Sequence, residues 1–323
     1  MTISEFPEDN KNSTNRNYIR YPRFMKLNSE IRRCQDLSKI SSEPQCMSLE
    51  GEPGAGKTTL VRDYVDLFPR KQVRDGMEIP VFYTEIPSPA TVKSTASSLL
   101  AKLGDPGAEK GTLWSMTTRL VGLIKDCKVE LVILDEFSNL INTETNHVLS
   151  EVSNWLKMLI KDTCVPFMVV GITGKVDRIL NANNQLSRLF AFRETLEPFS
   201  WSDQSSIIEF SKFLQYSEKI INIELSSTLP KSEIYYRIFY ATNGVVGNIM
   251  NLMRYSGLLA KERRSQAIEL SDLSIAFSHR IGKHLQEKEN PFIISADVRF
   301  FESKSGKEET RLTGKAINIL SAS

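Results

Sequence analysis

No run of about 18 apolar residues occurs in the 323 residues, so no membrane-spanning helix is expected. Residues 1–15 are polar and mixed in charge, and lack the apolar stretch of a secretory signal. Cysteine is scarce: Cys34, Cys46, Cys127 and Cys164 stand far apart, and no C-x-x-C pair suggests a zinc site or a disulfide framework. A reducing cytoplasm is the expected compartment. Internal repeats are missing too, and the net charge of +2 singles out no partner. Only one local excess stands out. Between Arg16 and Lys39 the basic residues Arg16, Arg20, Arg23, Lys26, Arg32, Arg33 and Lys39 face only Glu30 and Asp36. That run is read either as a solvated helix face or as a contact for phosphates. What remains is ordinary for a globular chain, 41% hydrophobic and 25% charged, and long enough for one α/β core with a smaller helical domain.

Periodicity divides the chain. Residues 1–20 read as a disordered N-terminus rich in Asn, Ser, Glu and Lys. From 21 to 200, apolar strands alternate with helices: strands at 46–50, 79–86, 131–134, 165–170 and 194–198, and helices at 25–40, 57–67, 91–103, 112–127 and 145–161. Mostly apolar strands separated by helices predict an α/β fold whose central parallel sheet is covered on both faces. Beyond Trp201 the strand signal stops. Helical patterns at 203–216, 231–242, 247–262 and 271–288 predict a helical lid over 201–288. A Ser-, Lys- and Glu-rich tail over 289–323 follows, with apolar patches at Phe292-Ile293-Ile294 and Val298 to Phe301.

The segment Gly51-Glu52-Pro53-Gly54-Ala55-Gly56-Lys57-Thr58 matches G-x-x-x-x-G-K-[ST] in full, between a strand and a helix. Glycines let the backbone wrap an anion with its N–H groups inward, and the following helix aims its positive dipole end at the same point. This is a P-loop for ATP. Lys57 is placed on the β- and γ-phosphates, the Thr58 hydroxyl on Mg²⁺, and Thr59 is counted with the nucleotide-contacting residues. The strand Leu131 to Leu134 ends in Asp135-Glu136. Asp135 is expected to hold the magnesium through its water shell, and Glu136 to be the general base that orients the attacking water. The bland alternative is a pair of acids capping the next helix.

Two further positions follow from chain order. Thr173, after the next strand, is either a γ-phosphate or water sensor or a turn residue. Arg188, in Gln185-Leu186-Ser187-Arg188-Leu189-Phe190, can reach a neighbouring subunit's γ-phosphate, with Arg193 as the competing candidate.

Together these elements resemble an AAA+ ATPase. The text between them is similar, more narrowly, to the TniB/TnsC family of transposition ATPases over roughly residues 20–260. The carrying segments are Pro22-Arg23, Glu85-Ile86-Pro87-Ser88-Pro89, Leu103-Gly104-Asp105-Pro106, Lys110-Gly111-Thr112, Leu134-Asp135-Glu136-Phe137 and Glu197-Pro198-Phe199-Ser200-Trp201. The resemblance implies an ATP-dependent homo-oligomer, a ring or helical filament, on double-stranded DNA. It also implies partners, a TnsB-like transposase and a TniQ-like target selector, with hydrolysis disassembling the filament. By the same resemblance, DNA contacts fall after the second core strand, where Lys102, Lys110, Thr112 and Arg119 lie; such contacts would meet phosphates rather than base edges.

One departure is visible. The segment Gly244-Val245-Val246-Gly247-Asn248 lacks the arginine with which many AAA+ lids sense nucleotide; the nearest is Arg254. Two other functions share parts of this pattern. A replication-initiator or helicase-loader ATPase would add a winged DNA-binding domain, for which the residues after the last helical pattern are too few. A nucleotide switch for signalling would not bind DNA.

Overall fold

The computed structural model describes residues 18–74, 76–141, 145–226, 229–280 and 289–293. The chain divides into two compact units, Met1–Leu196 and Glu197–Ser323. The sequence pattern predicts the boundary near Ser200.

In the first unit, helix α1 (Pro22–Ile40) leads to strand β1 (Met47–Gly51), helix α2 (Lys57–Val65) and a hairpin of β2 (Lys71–Val73) and β3 (Gly76–Glu78). Then come β4 (Val81–Glu85), α3 (Val92–Lys102), α4 (Leu113–Asp126) and β5 (Leu131–Asp135). A 3₁₀ turn over Phe137–Leu140 precedes α5 (Asn146–Thr163), β6 (Phe167–Ile172), α6 (Lys175–Asn181), α7 (Asn184–Leu189) and β7 (Phe192–Thr195). Strands β4-β5-β6-β1-β7 form one sheet in that order, and each adjacent pair is parallel. Every residue of β1 and β5 is buried, as expected of strands covered on both faces. Because β1 lies between β6 and β7, its neighbours are both later in the chain. Its carboxyl end therefore opens at a reversal of strand order, where α/β sheets bind ligands.

Side chains set the helix starts. Thr91 and Ser94 form a reciprocal capping box at α3, and Thr112 and Thr145 accept the N–H groups of Ser115 and Val148 at the starts of α4 and α5. Most of the basic run in α1 is tied down. Arg32 pairs with Asp36, Arg33 with Glu30, and Lys39 with Glu130. Arg20, placed by sequence in the disordered N-terminus, is instead anchored: it donates to the buried Asp63 at 2.8 Å, and Asn28 donates to the other carboxylate oxygen at 2.9 Å. Residues 1–17 lie outside the described residues.

The second unit holds α8 (Gln204–Ile221), β8 (Glu224–Leu225), α9 (Lys231–Thr242), α10 (Val246–Glu262), β9 (Ala267–Ile268) and α11 (Leu270–Arg280). The expectation that strands end at Trp201 is corrected here: β8 and β9 pair in parallel through two residues each. In its core Phe199 lies edge-on to Phe210 and tilted against Phe213, with Trp201 edge-on to Phe210. Close to the start of the expected tail, Phe292 is buried against Phe277 rather than loose. Residues 281–288 of the last expected helix and the tail from 294 onward lie outside the described residues.

Candidate functional site

The loop between β1 and α2 is shaped by its glycines. Gly54 and Gly56 take φ of 80° and 101°, a region that side chains rarely adopt, and Gly56 sits at the N-terminus of α2. A side chain at Gly51 would lie 2.7 Å from the Leu196 carbonyl, so the strand can turn only with glycine there. The buried Lys57 folds back over the loop and donates to the carbonyls of Gly51 at 2.9 Å and Glu52 at 3.0 Å. Burial lowers its pKa, while Glu136 and then Asp135 pull it back up. Around it, Ala55 is buried, Thr58 is half-buried, and Glu52, Pro53 and Thr59 are exposed.

Strand β5, separated from β1 by β6, brings the acids. Asp135 is fully buried; its Oδ1 accepts the Glu136 N–H at 2.8 Å, and its Oδ2 accepts the Tyr83 hydroxyl at 3.1 Å. Glu136 has φ 54°, which ends the strand abruptly. Burial first, and then Asp135, raise its carboxyl pKa against the opposing pull of Lys57. Tyr83 is itself pushed up to about 12, by burial and then by Asp135. The parallel register sets Glu85 opposite Asp135. Arg62 of α2 lies 5.8 Å from the Tyr83 ring centroid and 3.5 Å from Glu85. Tyr83, Glu85 and Arg62 do not emerge from the sequence, because the partner of Asp135 comes from β4, some fifty residues away in the chain.

The residues fit a magnesium-bound triphosphate. Asp135 uses two of its roughly four lone-pair positions and keeps acceptor capacity for the water shell of a cation. Lys57 uses two of its three N–H groups on carbonyls of the loop and keeps one to give. Among the described residues no cluster of three or more His, Cys, Asp or Glu could hold a metal by itself. Such a set suits a cation held jointly by protein oxygens and phosphate.

Thr173 is exposed and follows β6. It is next to Gly174, whose N–H donates to Glu50 at 3.1 Å, and Glu50 also accepts from the Asp177 N–H at 3.0 Å. Glu50, one residue before the phosphate loop and buried, therefore caps α6. A second tie runs from Ser138 after the acids, which accepts the Ile172 N–H at 2.8 Å.

The structure separates the two arginine candidates. Arg193 is engaged within its own chain: it donates to Asp177 at 2.9 Å, Asn181 at 3.1 Å and the Ser187 hydroxyl at 2.7 Å. Arg188 is exposed, and among the described residues its side chain pairs with Glu43 alone, at 3.3 Å and 3.4 Å and open to solvent.

Of the residues read as DNA contacts, three have internal work. Lys102 donates to Thr84 at 2.5 Å. Arg119 donates to Asp105 at 2.8 Å and to the carbonyls of Gly107 and Lys110, closing the loop before α4. Thr112 caps α4. Lys110 is exposed, and its ammonium has no partner among the described residues.

Comparison with known proteins gives the same fold. The family described as "TniB: Bacterial TniB protein" matches residues 11–200. No curated protein matches. Among solved structures, Cdc6p from Pyrobaculum aerophilum is 16% identical with TM-score 0.59, over 87% of this chain and 73% of that one. The Aeropyrum pernix ORC2 protein, as ADPNP–ADP complexes, is 13% identical with TM-score 0.58, over 87% and 73%. The Aeropyrum pernix ORC1 protein in complex with DNA is 14% identical with TM-score 0.56, over 80% and 65%, so this chain matches just under two thirds of its length.

Proposed function

The chain belongs to the TniB family of AAA+ ATPases, and on that premise we propose that it assembles on double-stranded DNA when ATP is bound and regulates DNA transposition. In this reading Gly51 to Thr59 hold the nucleotide, with Lys57 on the β- and γ-phosphates. Thr58 and Asp135 hold Mg²⁺, which when bound neutralises charge on the phosphates. Glu136 takes the proton of the attacking water, and its raised pKa gives the carboxylate more basic strength than a free glutamate. Thr173 lies beside the γ-phosphate, and Arg188 reaches into the site of the next subunit. The observation that carries the hydrolytic part is the convergence of the buried Lys57, the fully buried Asp135 and the left-handed Glu136 on one sheet edge.

The DNA part is supported by the family and by a neighbour of similar fold solved with DNA. Lys110 is the cation of the α3–α4 segment that we assign to a phosphate, with Lys102, Thr112 and Arg119 shaping the backbone around it. Hydrolysis then disassembles the oligomer, a ring or helical filament. Its partners in this reading are a TnsB-like transposase and a TniQ-like target selector.

The test is retention on random duplex DNA with a slow-hydrolysing ATP analogue and with ADP. Retention with the analogue and loss with ADP is expected. Equal retention in both states, or none in either, would remove the nucleotide-gated DNA reading.

A further inference from the structure

Of the α3–α4 residues read as DNA contacts, the Lys102 ammonium is held by Thr84 and the Arg119 guanidinium by Asp105 and two carbonyls, which leaves Lys110 as the open cation of that set. Duplex binding draws its affinity from cations that neutralise phosphates. The second unit carries a group of such cations. A concavity of about 520 Å³ between α10 and α11 is lined by Asn251, Arg254, Tyr255, Leu258, His279 and Arg280. Arg280 lies over the Tyr255 ring at 4.7 Å, and the Tyr255 hydroxyl is 3.3 Å from His279 Nδ1. These interactions order one wall of the concavity and leave the guanidinium edges of Arg280 open.

Two other arginines of this unit are neutralised: Arg237 pairs with Glu233, and Arg263 with Asp272 and Glu269. Arg254 and Arg280 have no carboxylate partner among the described residues, and none of the six lining residues is acidic. Guanidinium, imidazole, phenol and amide groups are all hydrogen-bond donors, a set that matches the oxygens of a phosphate. The lining includes one aliphatic side chain, Leu258, which is little for gripping an apolar peptide.

We propose that this face of α10 and α11 is a second phosphate-binding site, which takes a backbone phosphate of duplex DNA. It rests on the reading of the chain as a DNA-bound ATPase and adds a point of attachment outside the α3–α4 segment. Binding there is independent of sequence, because phosphate oxygens carry no base identity.

The experiment measures anisotropy of a labelled random-sequence duplex against the full chain, with a slow-hydrolysing ATP analogue, across a salt series. For Arg254→Ala with Arg280→Ala, the slope of log affinity against log salt should become shallower by about 0.9 for each phosphate that is no longer neutralised. Affinity at moderate salt should fall about tenfold or more. Arg254→Lys should keep the slope, since it keeps the charge. Binding of a fluorescent ATP analogue and the melting curve should match the unaltered chain, which shows that the variant is folded. A folded, nucleotide-binding double variant with unchanged slope and affinity would overturn the site. So would capture of a labelled polyglutamate peptide by the unaltered chain, abolished in the double variant while duplex binding stays the same; the face would then take an acidic protein segment. If the unaltered chain fails to bind duplex with nucleotide present, the DNA reading and this site fall together.

Discussion

Both units bury charged side chains, but to different ends. In the second unit, Glu218 accepts the Leu225 N–H and the Tyr235 hydroxyl, and Asp272 is clasped by Arg263 and the Glu269 N–H. Those charges have partners that fix helices and loops to one another. In the first unit, Asp63 and Glu50 are closed in the same way, whereas Lys57 and Asp135 keep bonding capacity on the edge where β1 and β5 end. Burial of a charge is therefore no sign of a site by itself. The sign is a buried charge whose set of partners is incomplete and opens toward a place a ligand can occupy.

Five changes test this contrast, from loss of assembly altogether to a local loss of stability. Lys57→Ala removes the ammonium that the loop is built to present. We expect loss of ATP binding by roughly 100-fold or more, read by titration of a fluorescent nucleotide, and no assembly on DNA. Normal assembly by this variant would place the incomplete charge elsewhere.

Arg188→Ala should leave nucleotide affinity of the isolated chain unchanged and lower turnover of the assembly by about 10³-fold. Mixing it with Lys57→Ala should restore part of the turnover, because each variant supplies what the other lacks. Arg193→Ala should instead lower the melting temperature, since that arginine holds α6 and α7 together.

Glu136→Gln should keep ATP binding and slow hydrolysis by about 10²–10³-fold. Its pKa is raised, so the carboxylate is protonated at a higher pH than an ordinary glutamate. Turnover of the unaltered chain should then decline on acidification before a free glutamate would titrate, and recover as pH rises. A profile flat down to the ordinary glutamate range would remove Glu136 from the role of base.

The smallest effect belongs to a closed charge. Glu50→Ala leaves the N–H groups of Gly174 and Asp177 without their acceptor and should cost about 1–3 kcal/mol in urea unfolding, with ATP binding nearly intact.

The sheet is legible in the sequence because its strands are continuous apolar runs, which single-residue shifts cannot disguise. Leu131 to Leu134 and Val165 to Val170 each lie within two residues of a strand in the fold. The last core strand starts two residues and ends three residues earlier than its pattern predicts, at Phe192–Thr195 rather than 194–198, because the apolar Leu196 extends the pattern past the end of the ladder. The β2–β3 hairpin escapes because its residues are exposed or half-exposed and show no alternation of apolar and polar positions. The two-residue pair of β8 and β9 is too short to carry a period. Within the site, the phosphate loop and Asp135-Glu136 are local in sequence and readable there. Tyr83 and Arg62 are not, since the register of β4 against β5 places Tyr83 beside Asp135 and the packing of α2 brings Arg62 to the Tyr83 ring. The choice between Arg188 and Arg193 also needs three dimensions: both lie near α7, and only their internal acceptors differ.

Glu50 has a consequence beyond stability. It belongs to the strand that delivers the phosphate loop, and its carboxylate grips the first turn of α6, the helix that Arg193 fastens at its far end beside Ser187. Loop, helix and the neighbourhood of Arg188 are thus bolted to a common rail. In the assembly proposed above, a shift at one end of that rail when a triphosphate is seated or released would be passed to the other, so one protomer's filling state would govern how far it leans on the next.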